Sequence, residues 1–255
     1  GMPFQTLDGL RVPTLTVEQM READRIATGE TGPALADMLE MAGERLSGFI
    51  TSQWPRVVGV GPVIVLAGGG HNGGGGICTA YHLVSQAIDA RLCLSAPENK
   101  LSEATAAQLK RYKWRGGQIV ALDELEHTTP FLIMDALIGY SLKGTPHGLA
   151  AELINWANQS SAPVLSLDIP SGLNADSGEA TSCCIYAEKT VTLALPKPGL
   201  ATVPAGELWL ADIGIGNSTY EKMGIRMQSP FAGAPYIRLH LRHQKASPVI
   251  PGMPL

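Results

Sequence analysis

A chain of 255 residues with 45% hydrophobic residues, 16% charged residues and a formal charge of -4 can bury a substantial core, which excludes overall disorder and makes one domain the default. With 19 basic against 23 acidic residues and no long basic run, it has little electrostatic reason to bind a nucleic-acid backbone or a membrane surface. The 29 Gly and 18 Pro show no collagen-like period and point to tight turns or close backbone approaches.

At the N-terminus Gly1, Met2 and Pro3 read as an initiator methionine behind a residual glycine, and no apolar stretch with a small-residue cleavage site follows, so no secretory signal is expected. Across 16–50, Met20, Ile26, Leu35, Met38, Leu39, Ala42 and Leu46 recur with helical spacing, and Gly29 and Gly32 divide the stretch into two helices. Thr16 and Gln19 form a capping-box pattern before the first. An extended segment over 57–67 follows, where Val63, Ile64, Val65 and Leu66 make the continuous apolar run of a strand buried on both faces. Ile77, Ala80, Leu83, Val84 and Ala87 predict a helix over 76–87. Then come a strand over 90–95, a helix over 102–113 capped by Ser102, and an extended segment over 118–122. Two later strands end in carboxylates, 131–134 leading to Asp135 and 163–167 leading to Asp168, with a helical crossover over 149–157 between them. Residues 191–195 and 208–212 add two strands, so 57–215 reads as one doubly wound, mostly parallel α/β domain behind an N-terminal helical flank. Beyond 230 the order fades, with three prolines among the last eight residues; this extension is expected to pack, to form an interface arm or to stay partly disordered.

Apolar segments such as 62–67 fall far below the roughly 20 residues that cross a bilayer. Cys78, Cys93, Cys183 and Cys184 have neither zinc-finger spacing nor the density of a disulfide scaffold, and structural or incidental thiols in a reducing cytoplasm are expected.

Between strand and helix the chain reads Gly68, Gly69, Gly70, His71, Asn72, Gly73, Gly74, Gly75, Gly76. Backbone N–H groups of such a loop could line a concavity for phosphate oxygens, helped by the first turn of the helix. The terminal Lys-Ser/Thr of an ATPase phosphate loop is missing, and so is a clean second-strand acidic residue of the dinucleotide fingerprint. Nucleotide binding and a strained structural turn without a ligand both remain open on glycine spacing alone.

Several ordered features are shared with one family: Gln19-Met20-Arg21-x-x-Asp24, Met38-Leu39-Glu40-x-Ala42-Gly43, the glycine run, Asp135-Ala136-Leu137-x-Gly139, Asp168-Ile169-Pro170-Ser171-Gly172 and Lys197-Pro198-Gly199. Together, over about 16–218, the chain resembles the YjeF N-terminal domain family. The resemblance implies a Rossmann-like fold, a family-like domain over 16–229 with a C-terminal extension over 230–255, and a homodimer. It also implies an enzyme that interconverts the R and S epimers of hydrated NADH or NADPH, so that a separate dehydratase can repair the damaged nicotinamide. The domain fills nearly the whole chain, so that dehydratase is expected on another protein.

Carried over by position, the resemblance implies a potassium ion at Asn72, Asp135 and Ser171. It places substrate at His71, Asn72, Gly73, Gly74 and Gly75, at Asp168, and along Gly139, Tyr140, Ser141, Leu142, Lys143, Gly144 and Thr145. Asp168 is then expected to act on the substrate directly or to orient it, and Lys197 to act electrostatically or in proton transfer. Departures exist: the family loop runs Gly-x-Gly-Asn-Asn-Gly-Gly-Asp-Gly, whereas this chain has His71 for the first Asn and Gly75 for the Asp, Met41 where Asn is common, and Gly139-Tyr140-Ser141 where Gly-Thr-Gly is frequent. Gly75 removes a carboxylate that no glycine backbone replaces, and it motivates an alternative: a catalytically inactive nucleotide-binding or protein-interaction module.

Overall fold

The computed structural model describes residues 2–242. Two short strands, β1 (Phe4–Gln5) and β2 (Arg11–Val12), precede helix α1 (Val17–Ile26). The capping box forms as the sequence predicts: Thr16 accepts from the Gln19 amide while the Gln19 side chain accepts from the Thr16 amide. Met20, Ala23 and Ile26 face inward along α1, the stripe expected of an amphipathic helix. A turn through Gly32, at φ 77, separates it from α2 (Leu35–Gln53).

The central layer is an eight-stranded sheet built from β3 (Val63–Ala67), β4 (Ala90–Leu94), β5 (Gln118–Ile119), β6 (Leu132–Ala136), β7 (Val164–Leu167), β8 (Lys189–Leu193), β9 (Glu207–Ala211) and β10 (Tyr236–Arg238). Its order is β10-β9-β8-β7-β6-β3-β4-β5, and every pairing is parallel except β10 with β9. The chain thus steps outward from β3 to β5, returns to β6 on the other side of β3, and continues to the far edge. This is the doubly wound Rossmann-like arrangement, with its switch point between β3 and β6, where a crevice opens beyond the strand ends.

Alternation within each strand sorts side chains onto two covered faces. Val63, Val65 and Ala67 pack with Phe49 of α2, Ile77 of α3 (His71–Ser85) and Tyr112 of α4 (Glu103–Trp114). Ile64 and Leu66 face the other way, against Leu125 of the short α5 (Leu122–Leu125) and Leu153 of α6 (Gly148–Gln159). A third cluster gathers α1, the N-terminal strands and Tyr220 of α7 (Asn217–Lys222).

Three local expectations change. The segment over 57–67 is extended only from Val63, because Pro55–Val58 forms a 3-10 turn. The segment over 118–122 pairs at two residues before α5 begins. Most consequential, α3 starts at His71 rather than at residue 76, so four glycines lie inside a helix.

Beyond residue 230, Tyr236–Arg238 pairs with β9, and β11 (His240–Leu241) pairs with β1, setting Phe4 opposite Leu241. The proline-rich end considered above lies outside the described residues.

Gly48 sits exposed in the middle of α2, and a methyl group there would meet nothing within 4 Å. Gly48→Ala should therefore stabilise the protein by about 1 kcal/mol through helix propensity, read as a raised urea midpoint at unchanged slope.

Candidate active site

A glycine-rich segment would ordinarily avoid a helix, since each glycine costs roughly 1 kcal/mol relative to alanine. Here close packing dictates the choice. A Cβ at Gly73 would lie 1.8 Å from the Gly68 carbonyl oxygen, one at Gly76 would lie 2.4 Å from the Ala136 Cβ, and one at Gly74 would lie 2.8 Å from Thr105 Oγ1. The helix thus lies hard against the ends of β3 and β6 and against α4. The loop proper is only 68–70: the Ser102 amide donates to the Gly69 carbonyl at 2.8 Å, and Thr105 Oγ1 donates to the Gly70 carbonyl at 2.7 Å. Gly70 caps α3 with extended backbone, so the free amides of the first turn open at the switch point, where a helix favours anions.

Asp135, the fourth residue of β6, is fully buried. Its Oδ2 accepts from Ser166 Oγ and the Ser171 amide, both at 2.8 Å, and its Oδ1 accepts from Ser171 Oγ at 2.5 Å and the Leu137 amide at 3.3 Å. Burial pushes this carboxyl above the ordinary range, against the pull of those donors. Ser171 Oγ also accepts from the Ile138 amide at 2.9 Å, so Ser171 ties the end of β7 to the turn after β6. Asn72 packs against that turn, since a Cβ on Gly139 would sit 3.3 Å from the Asn72 Cβ, and its Nδ2 is buried without a hydrogen-bond partner. One carboxylate, one amide and one hydroxyl around a single turn suit a weakly hydrated monovalent cation better than a divalent one. The unpaired Nδ2 is a donor, so Asn72 would face a cation only after its amide flips to present the oxygen.

Asp168 follows β7 with φ 67, a left-handed backbone that strains a non-glycine residue. The turn aims its carboxylate across the end of β8. Oδ1 accepts from Thr192 Oγ1 at 2.8 Å, from the Leu193 amide at 3.1 Å and from Lys197 Nζ at 2.8 Å. Among the described residues, the hydrogen bonds to the Asp168 carboxylate fall on Oδ1, which leaves Oδ2 open. Lys197 is buried to 0% exposure and also donates to the Leu193 carbonyl at 3.0 Å and to Thr192 Oγ1 at 3.4 Å. Its ammonium is therefore satisfied within the protein. That arrangement suits an electrostatic partner of Asp168 better than a proton carrier.

Both groups line a cavity of about 660 Å³ over the switch point. His71, Asn72, Gly75, Gly139, Tyr140 and Ser141 line it too, with Arg21 and Asp24 on the α1 side. Gly73 and Gly74 are packed away from it, and Leu142, Lys143, Gly144 and Thr145 lie off its wall, the last three exposed to solvent. Asp24 accepts from the Tyr140 hydroxyl at 2.6 Å. A more open depression of about 640 Å³ at the opposite strand ends, beside Asn158, Val164 and Glu188, contains none of these residues.

Sequence reading passed over Thr192, the polar residue in the otherwise apolar run 191–195, and Ser166 in β7. Each is the buried hydroxyl that serves a strand-end carboxylate. Outside the cavity, Glu40, Cys78 and His82 gather ligand atoms within 4.8 Å of one another and could hold a metal ion. Glu40 is already held by Arg111 at 2.6 Å, and burial pushes the Cys78 thiol upward. The four cysteines are free, and no helix among the described residues is long and apolar enough to cross a membrane.

The profile of the family described as YjeF-related protein N-terminus matches residues 35–199. The chain is 40% identical over 245 residues to an NAD(P)H-hydrate epimerase of Dehalogenimonas lykanthroporepellens, covering 96% of this chain and 100% of that protein. It is 33% identical to an NAD(P)H-hydrate epimerase of Truepera radiovictrix, over 88% of this chain and 100% of the relative. With the bifunctional NAD(P)H-hydrate repair enzyme of Escherichia coli the identity is 32%, over 78% of this chain and 39% of that longer protein. The crystal structure of yeast ynu0 aligns with a TM-score of 0.78 at 21% identity, over 89% of this chain and 100% of that one, a likeness of fold.

Proposed function

The chain belongs to the YjeF-related protein N-terminus family, and from that premise we propose that it interconverts the R and S epimers of hydrated NADH or NADPH in nicotinamide nucleotide repair. The observation that carries this reading is the buried Asp168–Lys197 ion pair on the cavity wall, at 2.8 Å, with one Asp168 oxygen left for a ligand. Epimerisation requires the hydrated carbon to lose its stereochemistry and regain the hydroxyl from the other face. A fixed acceptor beside a preorganised positive charge serves both stages. The free amides at the start of α3 would take the diphosphate, and the loop residues 139–141 would border the nicotinamide.

Potassium would be held by Asn72, Asp135 and Ser171, where it would supply positive charge beside a buried carboxylate. The four free thiols support a cytoplasmic setting. A homodimer, and a dehydratase on a separate protein acting on the same hydrates, complete the proposal.

The test is direct exchange. Purified protein mixed with a single epimer should bring R and S to equilibrium faster than a protein-free control, followed by chromatography. A rate equal to the control would sink the enzyme reading. Gly75 favours the second reading, an inactive binding module: it lines the cavity at the place of the family's loop carboxylate. Calorimetric titration with the hydrate and with NAD separates the two, since binding without exchange supports the module and tight binding with exchange removes it.

A further inference from the structure

Resting on the epimerase reading, we propose that Asp24 is a second catalytic carboxylate of the cavity: held by Tyr140, it gives a proton to the hydroxyl leaving one face of the hydrated ring, while Asp168 receives the proton of the water that returns on the other. Two faces of one carbon must be served in each turnover. The cavity has two carboxylates on different elements, Asp24 from α1 and Asp168 from the end of β7. Among the described residues each has one oxygen engaged and one without a hydrogen-bond partner: Tyr140 donates to Asp24 Oδ2, and the donors to Asp168 converge on Oδ1.

Their surroundings separate their tasks. Asp168 faces the Lys197 ammonium directly, as an acceptor should. Among the described residues the Asp24 carboxylate accepts a hydrogen bond from the neutral Tyr140 hydroxyl alone, and burial pushes it above the usual range, as a proton donor needs. The groups around Asp24 are Tyr140 from the turn after β6, Asp168 beyond β7, Lys197 beyond β8 and His71 from α3. Arg21 of α1 also acts on Tyr140, and Tyr220 of α7 senses Asp24. The carboxylate lost at Gly75 belonged to the α3 wall, so an acid on α1 approaches the ring from another side.

The step balances without a redox change. The ring C–O bond breaks with its electron pair going to oxygen, which takes the Asp24 proton and leaves as water while the ring nitrogen lone pair closes to an iminium. Water then adds to the opposite face, the π pair returns to nitrogen, and the surplus proton passes to Asp168. Solvent carries a proton from Asp168 back to Asp24 before the next turnover in the same direction.

The test measures kcat and KM for exchange, across pH, in wild type, Asp24→Asn and Tyr140→Phe, with melting curves for each. Asp24→Asn should lose roughly 100-fold or more in kcat with KM nearly unchanged. Tyr140→Phe removes a donor that favours the ionised carboxylate, so the Asp24 pKa rises and the alkaline limb of the kcat profile, where the proton donor is lost, should move to higher pH. Wild-type kcat in a folded Asp24→Asn overturns the Asp24 role alone, and so does an unmoved limb in Tyr140→Phe, which decides the matter if Asp24→Asn does not fold. A wild type that binds hydrate without exchanging it overturns the epimerase reading and this role with it.

Discussion

Asp168→Asn should leave the fold standing and lower epimer exchange by roughly 10²–10⁴-fold. Asparagine is isosteric, and its amide oxygen can still accept from Thr192, Leu193 and Lys197 if it takes the place of Oδ1. What disappears is the negative charge and the second acceptor oxygen, the one that takes no hydrogen bond among the described residues. Lys197→Ala makes the complementary point. It removes the only ammonium, among the described residues, beside a carboxylate that is 5% exposed, and stranding one half of a buried ion pair costs about 3–5 kcal/mol. The double variant Asp168→Asn, Lys197→Ala should recover much of that loss, because no charge is left uncompensated. Urea titrations of the four proteins give the coupling. A double variant as unstable as Lys197→Ala would show that the lysine matters for packing and not for its charge.

Gly73→Ala should destabilise the protein by about 3 kcal/mol or more, although alanine is the better helix former. The added methyl would stand 1.8 Å from the Gly68 carbonyl oxygen, and neither the end of β3 nor the first turn of α3 can withdraw without opening the packing at Ala136 and Thr105. Gly48→Ala is the matched control, with the same chemistry in a helix that has room. If urea denaturation found Gly73→Ala as stable as wild type, the close seating of α3 would be wrong.

These glycines also show where sequence reading succeeds and where it stops. Strands such as Val63–Ala67, and the Leu132–Met134 part of β6, announce themselves because burial on both faces demands apolar runs. The caps at Thr16 and Ser102 were legible because their partners lie three residues away. The start of α3 was not, since local propensity assigns consecutive glycines to a loop and only the neighbouring sheet, with α4, makes a helix worthwhile there. The paired strands β1 and β11 escaped notice for a related reason: two-residue strands have no periodicity to read. Among the site residues, Asp135, Asp168 and Lys197 could be singled out by motif and position after strands. That Tyr140 would hold Asp24 could not, because 116 residues separate them and nothing local encodes their meeting.

That separation has a consequence in time. Helix α1 is made before the groups that anchor it, which lie far downstream: Tyr140 donates to Asp24, the Val17 amide donates to Asp176, and the Leu15 amide just ahead of it donates to the Pro196 carbonyl. At 5–20 residues per second, a growing chain would wait on the order of 10 s before Tyr140 emerges. The strand preceding α1 waits longer still, until Leu241 can pair with Phe4. The wall that carries Asp24 thus precedes its own anchors along the chain, so a nascent chain acquires its cavity-facing helix end well before the chamber above it closes.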